Sequence, residues 1–294
     1  VMGAGPAGMA FSVYAAMRGH EVVLFEAKSE VGGQFNLARK IPGKEEFNET
    51  IRYFLNQIKL HKIDLRLNTR LDAKVLETET FDEIVIASGV VPRELSLPGF
   101  DSPKVVDYQQ VLTGQTAIGD KVALIGAGGI GFDVAEYLTE PHSLTLQPAA
   151  WLKDWGIDKA YQSRGALLPD EATPVAERKV YLLQRKTTKV GAGLGKTTGW
   201  IHRSSLKKKG VEMIAGVNYL KVDDDGLWVE IAGEERCLNV DNVIICAGQE
   251  PQRELLSALA EKGINAHLIG GADVAAELDA KRAIRQGAEL AAII

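Results

Sequence analysis

Two stretches of the chain repeat one order of apolar and polar positions. In the first, Gly3-Ala4-Gly5-Pro6-Ala7-Gly8 runs into a helical stretch that ends near Arg18-Gly19, where glycine is a good helix stop. The apolar run Val22-Val23-Leu24-Phe25 follows and stops at Glu26. In the second, the strand Lys121–Ile125 leads into Gly126-Ala127-Gly128-Gly129-Ile130-Gly131 and a helix to about Leu138. Each copy also has a closing segment, an apolar strand that leaves through small residues into a proline. These are residues 82–92, with Ala87-Ser88-Gly89 at the turn, and residues 241–251.

The glycine turns start 123 residues apart and the closing segments 159 apart, so the second copy carries 36 additional residues. They are expected at 141–178, ahead of a strand at 180–183. Pro148, Trp151, Trp155, Pro169 and Pro174 make that stretch an irregular insertion, too long for an ordinary connection between helix and strand. Asp223-Asp224-Asp225-Gly226 predicts a turn between strands at 219–222 and 227–231. The tail returns to Leu268-Ile269-Gly270-Gly271-Ala272-Asp273 and a last helix to about Ala291. The pattern predicts an α/β fold of two Rossmann-like three-layer dinucleotide-binding domains. Residues 1–115 and 249–294 form the first, and residues 116–248 form a second domain inserted within it.

In such a turn one glycine permits the tight bend, another lets a pyrophosphate approach the backbone, and the third lets helix and strand pack closely. The helix N-terminus then offers unpaired N–H groups and the positive end of its dipole to the anion. The expected pyrophosphate cradles are therefore Gly3, Gly5, Pro6, Ala7 and Gly8 in the first copy. In the second they are Gly126, Gly128, Gly129, Ile130 and Gly131.

The two copies differ in charge where their second strands end. Glu26, eighteen residues past Gly8, can accept both ribose hydroxyls and repels a 2′-phosphate, so a dinucleotide with a free adenosine ribose, FAD or NAD, is expected there. The second copy ends instead in Gln184-Arg185-Lys186. Two cations where a 2′-phosphate would lie favour NADPH over NADH; the alternative is a solvated basic strand end. Gly33 and Gln34, close behind Glu26, are expected to pass near the first cofactor, with Ala87, Ser88 and Gly89 of the closing segment. Asp273 reads either as a hold on a ribityl hydroxyl or as the cap of the last helix. Asp133 reads either as a residue under the nicotinamide or as a surface helix position. The helix beginning near Asp279 is expected to aim its N–H groups at a flavin pyrimidine.

Composition narrows the picture further. The 294 residues suit two domains. A 46% apolar and 25% charged chain is an ordinary globular one. Its net charge of −5 gives no general nucleic-acid-binding face. No apolar run approaches the roughly 20 residues that span a bilayer. Cys237 and Cys246 form no CxxC motif and fit a reducing cytoplasm. Only Val1 and Met2 precede Gly3, so a longer protein is expected around this sequence. The run Gly191 to Thr197 looks like a phosphate loop, but the Walker spacing requires glycine where Val190 stands. Cys246 reads as a small core residue. His202 reads equally as a site residue or a surface histidine.

Several longer motifs resemble one family. They are Gly3 to Gly8, Gly32-Gly33-Gln34-Phe35-Asn36, Ile41-Pro42-Gly43-Lys44-Glu45-Glu46-Phe47, Gly126 to Asp133, and Leu183-Gln184-Arg185-Lys186. Gly195-Lys196-Thr197-Thr198-Gly199-Trp200-Ile201-His202-Arg203, Ile245 to Pro251 and His267 to Gly271 complete the set. Together they resemble the C-terminal half of bacterial NADPH-dependent 2,4-dienoyl-CoA reductases. The resemblance implies FAD and NADPH on this chain, with FAD contacts at Ala7, Glu26, Gln34, Lys44 and Val75. It also implies an N-terminal barrel carrying FMN and a 4Fe-4S cluster, through which electrons would reach a dienoyl-CoA. Two other readings use the same residues. One is a reductase feeding a ferredoxin or synthase partner. The other is a non-catalytic module holding ADP in the first site.

Overall fold

The computed structural model describes residues 1–71, 80–140, 142–168, 176–276 and 279–294; Val75, Pro169 and Pro174 lie outside them. The chain opens with α1 (Pro6–Met17), β1 (Val23–Phe25), α2 (Phe35–Ala38), α3 (Phe47–Leu60), β2 (Asp64–Arg66), β3 (Val85–Ile86) and β4 (Val90–Pro92). A middle part follows with β5 (Val105–Asp107), α4 (Tyr108–Thr113), β6 (Lys121–Ile125), α5 (Gly129–Thr139), α6 (Pro148–Asp154), β7 (Lys179–Leu183) and α7 (Gly199–Lys208). It continues through β8 (Glu212–Ile214), β9 (Val217–Asp223), β10 (Gly226–Ile231), β11 (Glu234–Leu238) and β12 (Asn242–Ile245). The tail holds β13 (Gln249–Pro251), α8 (Glu254–Glu261), β14 (His267–Leu268) and α9 (Ala280–Ile293). These elements form two units, one of residues 1–39, 45–91 and 248–294, the other of residues 40–44 and 92–247.

The first unit is built on parallel strands. β1 pairs with β2, and β3 with β14. Met2 bridges Phe25 on one side and Ile86 on the other, both in parallel, so residues 1–2 lie at the centre. Side chains alternate across these strands as a pleated backbone requires. Leu24 faces α1 and α3, where Met9, Val13, Ile51, Phe54 and Ile58 are buried with it. Phe25 and Ile86 face the other way, with Leu259 of α8. Helices on both faces give the three layers.

The last helix reaches this core through small residues. Ala283, Gly287 and Ala291 recur every fourth position, one stripe of α9. A Cβ on Gly287 would stand 2.4 Å from the Ala7 carbonyl oxygen and 2.8 Å from the Phe11 nitrogen. Only a bare Cα lets α9 lie this close to α1.

The second unit's main sheet runs β5-β12-β6-β7-β8, parallel throughout. Antiparallel strands β9, β10 and β11 cover one face. There Ala123, Ile125, Leu183, Val243 and Ile245 pack on Val217, Val222, Leu227 and Val229. Leu182 points to the opposite face, 3.3 Å from where a Gly131 Cβ would lie, so α5 packs there. The turn expected at 223–226 is the one joining β9 to β10.

Two expectations change. The sequence pattern places residues 92–115 in the first domain, yet β5 pairs in parallel with β12 inside the second unit's sheet. α4 follows it directly, capped at Asp107, whose carboxylate accepts from the Gln109 and Gln110 N–H groups at 2.7 and 2.9 Å. Residues 40–44 also belong to the second unit: the Lys40 ammonium donates to the Leu112 carbonyl at 2.7 Å. In the insertion, the described residues hold α6 and two short 3-10 turns. The Asp158 carboxylate fixes one bend by accepting from the Ala160, Gln162 and Ser163 N–H groups.

Gly287→Ala should lower stability, although alanine is the better helix former by about 1 kcal/mol. The forced separation from α1 costs about 1–3 kcal/mol and outweighs that gain. A denaturant unfolding midpoint no lower than wild type would show that the α1–α9 contact tolerates a methyl group.

Candidate dinucleotide-binding sites

The two glycine turns have the same geometry. Gly3 and Gly126 sit at φ of 103° and 109°, where L side chains are strained. A Cβ on Gly8 would lie 1.9 Å from the Gly3 oxygen, and one on Gly131 would lie 1.9 Å from the Gly126 oxygen. Each helix therefore starts with its backbone pressed onto the carbonyl of its own turn. The N-cap positions, Gly5 and Gly128, carry no side-chain cap. The first N–H groups of α1 and α5 are thus left without a side-chain acceptor, which is how an anion is received. Pro6 has no N–H, so α1 offers those of Ala7 and Gly8. In α5, substituents at Gly128 and Gly129 would meet no protein atom within 4 Å. Together with Ile130 and Gly131 they form an open cradle that fits a pyrophosphate.

Behind the first turn, the Ala87 N–H donates to the Met2 carbonyl at 2.8 Å, and a Cβ on Gly3 would stand 2.5 Å from the Ala87 oxygen. Ser88 donates its hydroxyl to the Gln252 carbonyl, and Gly89 accepts from the Gln252 N–H. The Gly32-Gly33 bend lies on the same turn: the Gly32 N–H donates to the Ala4 carbonyl, and a Cβ on Gly33 would be 3.0 Å from the Gly5 Cα. Gln34 follows at the N-cap of α2. Glu26 is buried, and its two oxygens accept from the Ala4 and Lys28 N–H groups, each at 2.9 Å. One carboxylate thus ties the strand end to the glycine turn, and each oxygen retains a further lone pair for a ribose hydroxyl.

Asp273 is not a helix cap. Asp279 caps α9, accepting from the Arg282 N–H at 2.6 Å. Asp273 instead accepts from the Gln286 side chain at 2.9 Å, while Gln286 accepts from the Gly270 N–H at 2.9 Å. The half-buried carboxylate is held in one orientation by a residue thirteen positions on.

Lys44 and Asp133 come together in the second unit. The Lys44 ammonium donates to both Asp133 oxygens, at 2.6 and 2.7 Å. Lys44 belongs to the second unit, and Asp133 is a paired, half-buried group. Burial raises the Asp133 carboxyl above the usual range, more than Lys44 lowers it. Three residues on, the buried Glu136 accepts from His202 at 2.6 Å. That hydrogen bond raises the His202 imidazole above its usual value, against the lowering effect of burial. His202 is therefore a paired histidine, partly exposed. Glu136 escaped the sequence reading; its spacing from Asp133 on one helix face was the available signal.

Arg185 and Lys186 are exposed just past β7, the strand next to β6. Their backbone is fixed: the Lys186 carbonyl accepts from the Gly216 N–H and from the Gln184 side chain, both at 3.0 Å. Both cysteines are free, and complete burial pushes the Cys246 thiol far up, as suits a core residue. Among the described residues no acidic, histidine and cysteine side chains group as a metal site, and no helix is long and apolar enough to cross a membrane.

A family model for pyridine nucleotide-disulphide oxidoreductases matches residues 1–281. The metal reductase of Desulforamulus reducens is 28% identical over 276 residues, which is 92% of this chain and 40% of that protein. The bilirubin reductase of Mediterraneibacter gnavus is 27% identical over 290 residues, 98% of this chain and 39% of that protein. The chain thus spans about two fifths of the length of these relatives. Among solved structures, a 2-naphthoyl-CoA reductase in complex with 2-naphthoyl-CoA matches 100% of this chain and 39% of its own, with a TM-score of 0.83 and 27% identity. The thioredoxin reductase of T. acidophilum matches 99% of this chain and 95% of its own at a TM-score of 0.63 and 16% identity, a likeness of fold. With both glycine turns inside the matched residues, the chain belongs to the pyridine nucleotide-disulphide oxidoreductase family, the FAD- and NAD(P)H-binding oxidoreductases.

Proposed function

We propose that this chain is the NADPH-to-FAD electron-transfer module of a larger reductase of the 2,4-dienoyl-CoA reductase type. The observation that carries this is a contrast between two turns of like geometry. A buried carboxylate, Glu26, stands at the first, and two exposed cations, Arg185 and Lys186, follow the neighbouring strand of the second. FAD belongs with the first and NADPH with the second. Bound FAD would supply the hydride acceptor and the means to release electrons onward.

The chain's own residues bind and orient. The Ala7 and Gly8 N–H groups receive one pyrophosphate, Glu26 the adenosine ribose, and Asp273, fixed by Gln286, a ribityl hydroxyl. The Gly128 to Gly131 backbone receives the second pyrophosphate, and Arg185 and Lys186 the 2′-phosphate. The similarity to 2-naphthoyl-CoA reductase over 39% of that protein supports a missing partner region that meets an acyl-CoA. We assign FMN and a 4Fe-4S cluster to that N-terminal barrel, as the resemblance to 2,4-dienoyl-CoA reductases implies; Cys237 and Cys246 alone could not furnish four cluster ligands here. We place the whole reductase in the cytoplasm.

Gly128→Ala should leave the fold nearly intact, since its Cβ meets no protein atom and φ is −86°. Binding of NADPH should still weaken at least tenfold by calorimetry, because the methyl group stands where the pyrophosphate must approach. Undiminished binding would remove this turn from the site. Arg185→Ala should cost NADPH about 1.5–3 kcal/mol of binding and spare NADH. An unchanged ratio of kcat/KM for the two nucleotides would contradict a 2′-phosphate contact. Reconstituted with FAD, the chain should show a flavin spectrum bleached by anaerobic NADPH and should pass electrons to an artificial dye. It should not reduce a dienoyl-CoA until the N-terminal barrel is added. A chain that retains ADP and no flavin would be the non-catalytic module instead.

A further inference from the structure

Four ionisable side chains converge beside the second glycine turn. Asp133 and Glu136 are one helical turn apart on α5, the helix that starts at the turn itself. Lys44 clamps both oxygens of Asp133, and His202, on α7, bonds to Glu136. Lys44 and Asp133 are the other charges that face His202, and Glu136 and His202 both act on Asp133. Farther along, Lys209 pairs with Glu140, a closed pair at the end of α5. Glu136 is buried, so its charge is screened little by solvent. With His202 protonated, the four groups sum to zero. With His202 neutral, they carry one net negative charge, one to two helical turns from backbone N–H groups that receive an anion.

We propose that the His202–Glu136 couple sets the charge beside the second glycine turn, so that protonated His202 admits an anionic dinucleotide and neutral His202 weakens its hold. His202 is then a positioning residue. It acts through the field of Glu136. The inference rests on the second unit being the NADPH unit. The sign follows from the geometry. The bond to Glu136 raises the imidazole above its ordinary value, so the neutral cluster is lost only as pH climbs past that raised value. Linkage requires the converse as well: a bound anion must raise the His202 midpoint by the same factor that protonation favours binding.

The test uses NADP⁺ as the probe, with the folded chain at low ionic strength. Its dissociation constant is followed by calorimetry from pH 5.5 to pH 9, and the His202 midpoint by NMR with and without the probe. Affinity should fall about three- to tenfold as His202 deprotonates, the size of one unit charge about 10 Å from a pyrophosphate in partly screened surroundings. The midpoint should rise on binding. His202→Gln should show the weak affinity at every pH. Adding Glu136→Gln to it should restore the tight affinity, because the pair of substitutions again leaves zero net charge. His202→Lys, with a fixed cation, should keep only the dependence due to the probe's own phosphates. Binding that is as tight in His202→Gln as in wild type at pH 5.5, with an unmoved midpoint, overturns the inference alone. Should His202→Gln fail to fold, Glu136→Gln decides by itself: it must tighten binding, and unchanged affinity overturns the proposal. No NADP⁺ binding at any pH overturns both the inference and the function it rests on.

Discussion

A carbonyl oxygen and a helix backbone meet in each unit at a separation that no side chain can enter. At Gly8 and at Gly131 a methyl group would sit 1.9 Å from the oxygen that closes the preceding turn. That contact brings the strand end and the helix start together. It also fixes where each helix begins, at an N-cap glycine with no side chain to cap the first N–H groups. Two further features inherit their positions from it. Glu26 reaches back to the Ala4 N–H inside the first turn. Asp133 and Glu136 ride on the helix that the second turn sets in place. Charge choice at each site is therefore a choice of side chains around a fixed backbone.

Much of the architecture was readable because it rests on local signals. Glycine spacing, a short apolar run and an acid or base at the strand end each occupy a few consecutive residues. The β9–β10 turn announced itself in the same way. The sequence was less informative where contacts are distant. β5 has only three residues, Val105, Val106 and Asp107, and nothing in them tells which sheet will accept them; its partner β12 begins at Asn242. Lys44 pairs across 89 positions and His202 across 66, and pairing at such separation leaves no periodic trace. Asp273 reads from sequence either as a cap or as a ribityl contact, and only the side chain of Asp279, which holds the cap, excludes the first. The glycine turns were thus legible, while the charged network beside one of them was not.

The family's name includes disulphide chemistry, and this chain separates that chemistry from the scaffold. Cys237 lies on β11 and Cys246 is buried past β12; both are free. The two glycine turns themselves contain no thiol.

The nested order of the chain has a consequence for how it is made. The α1–α9 contact joins residues near position 7 to residues near position 287, and β3, bridged to Met2 on one side, gains its other neighbour only with β14. The second unit, apart from residues 40–44, is one continuous stretch that leaves the ribosome before α9 exists. It can reach its native pairing early, whereas the first unit has to keep α1 and its half-built sheet open until the tail arrives. Contacts of such long sequence separation fold slowly. During synthesis, the unpaired edge of that unfinished sheet is the kind of surface that draws aggregation.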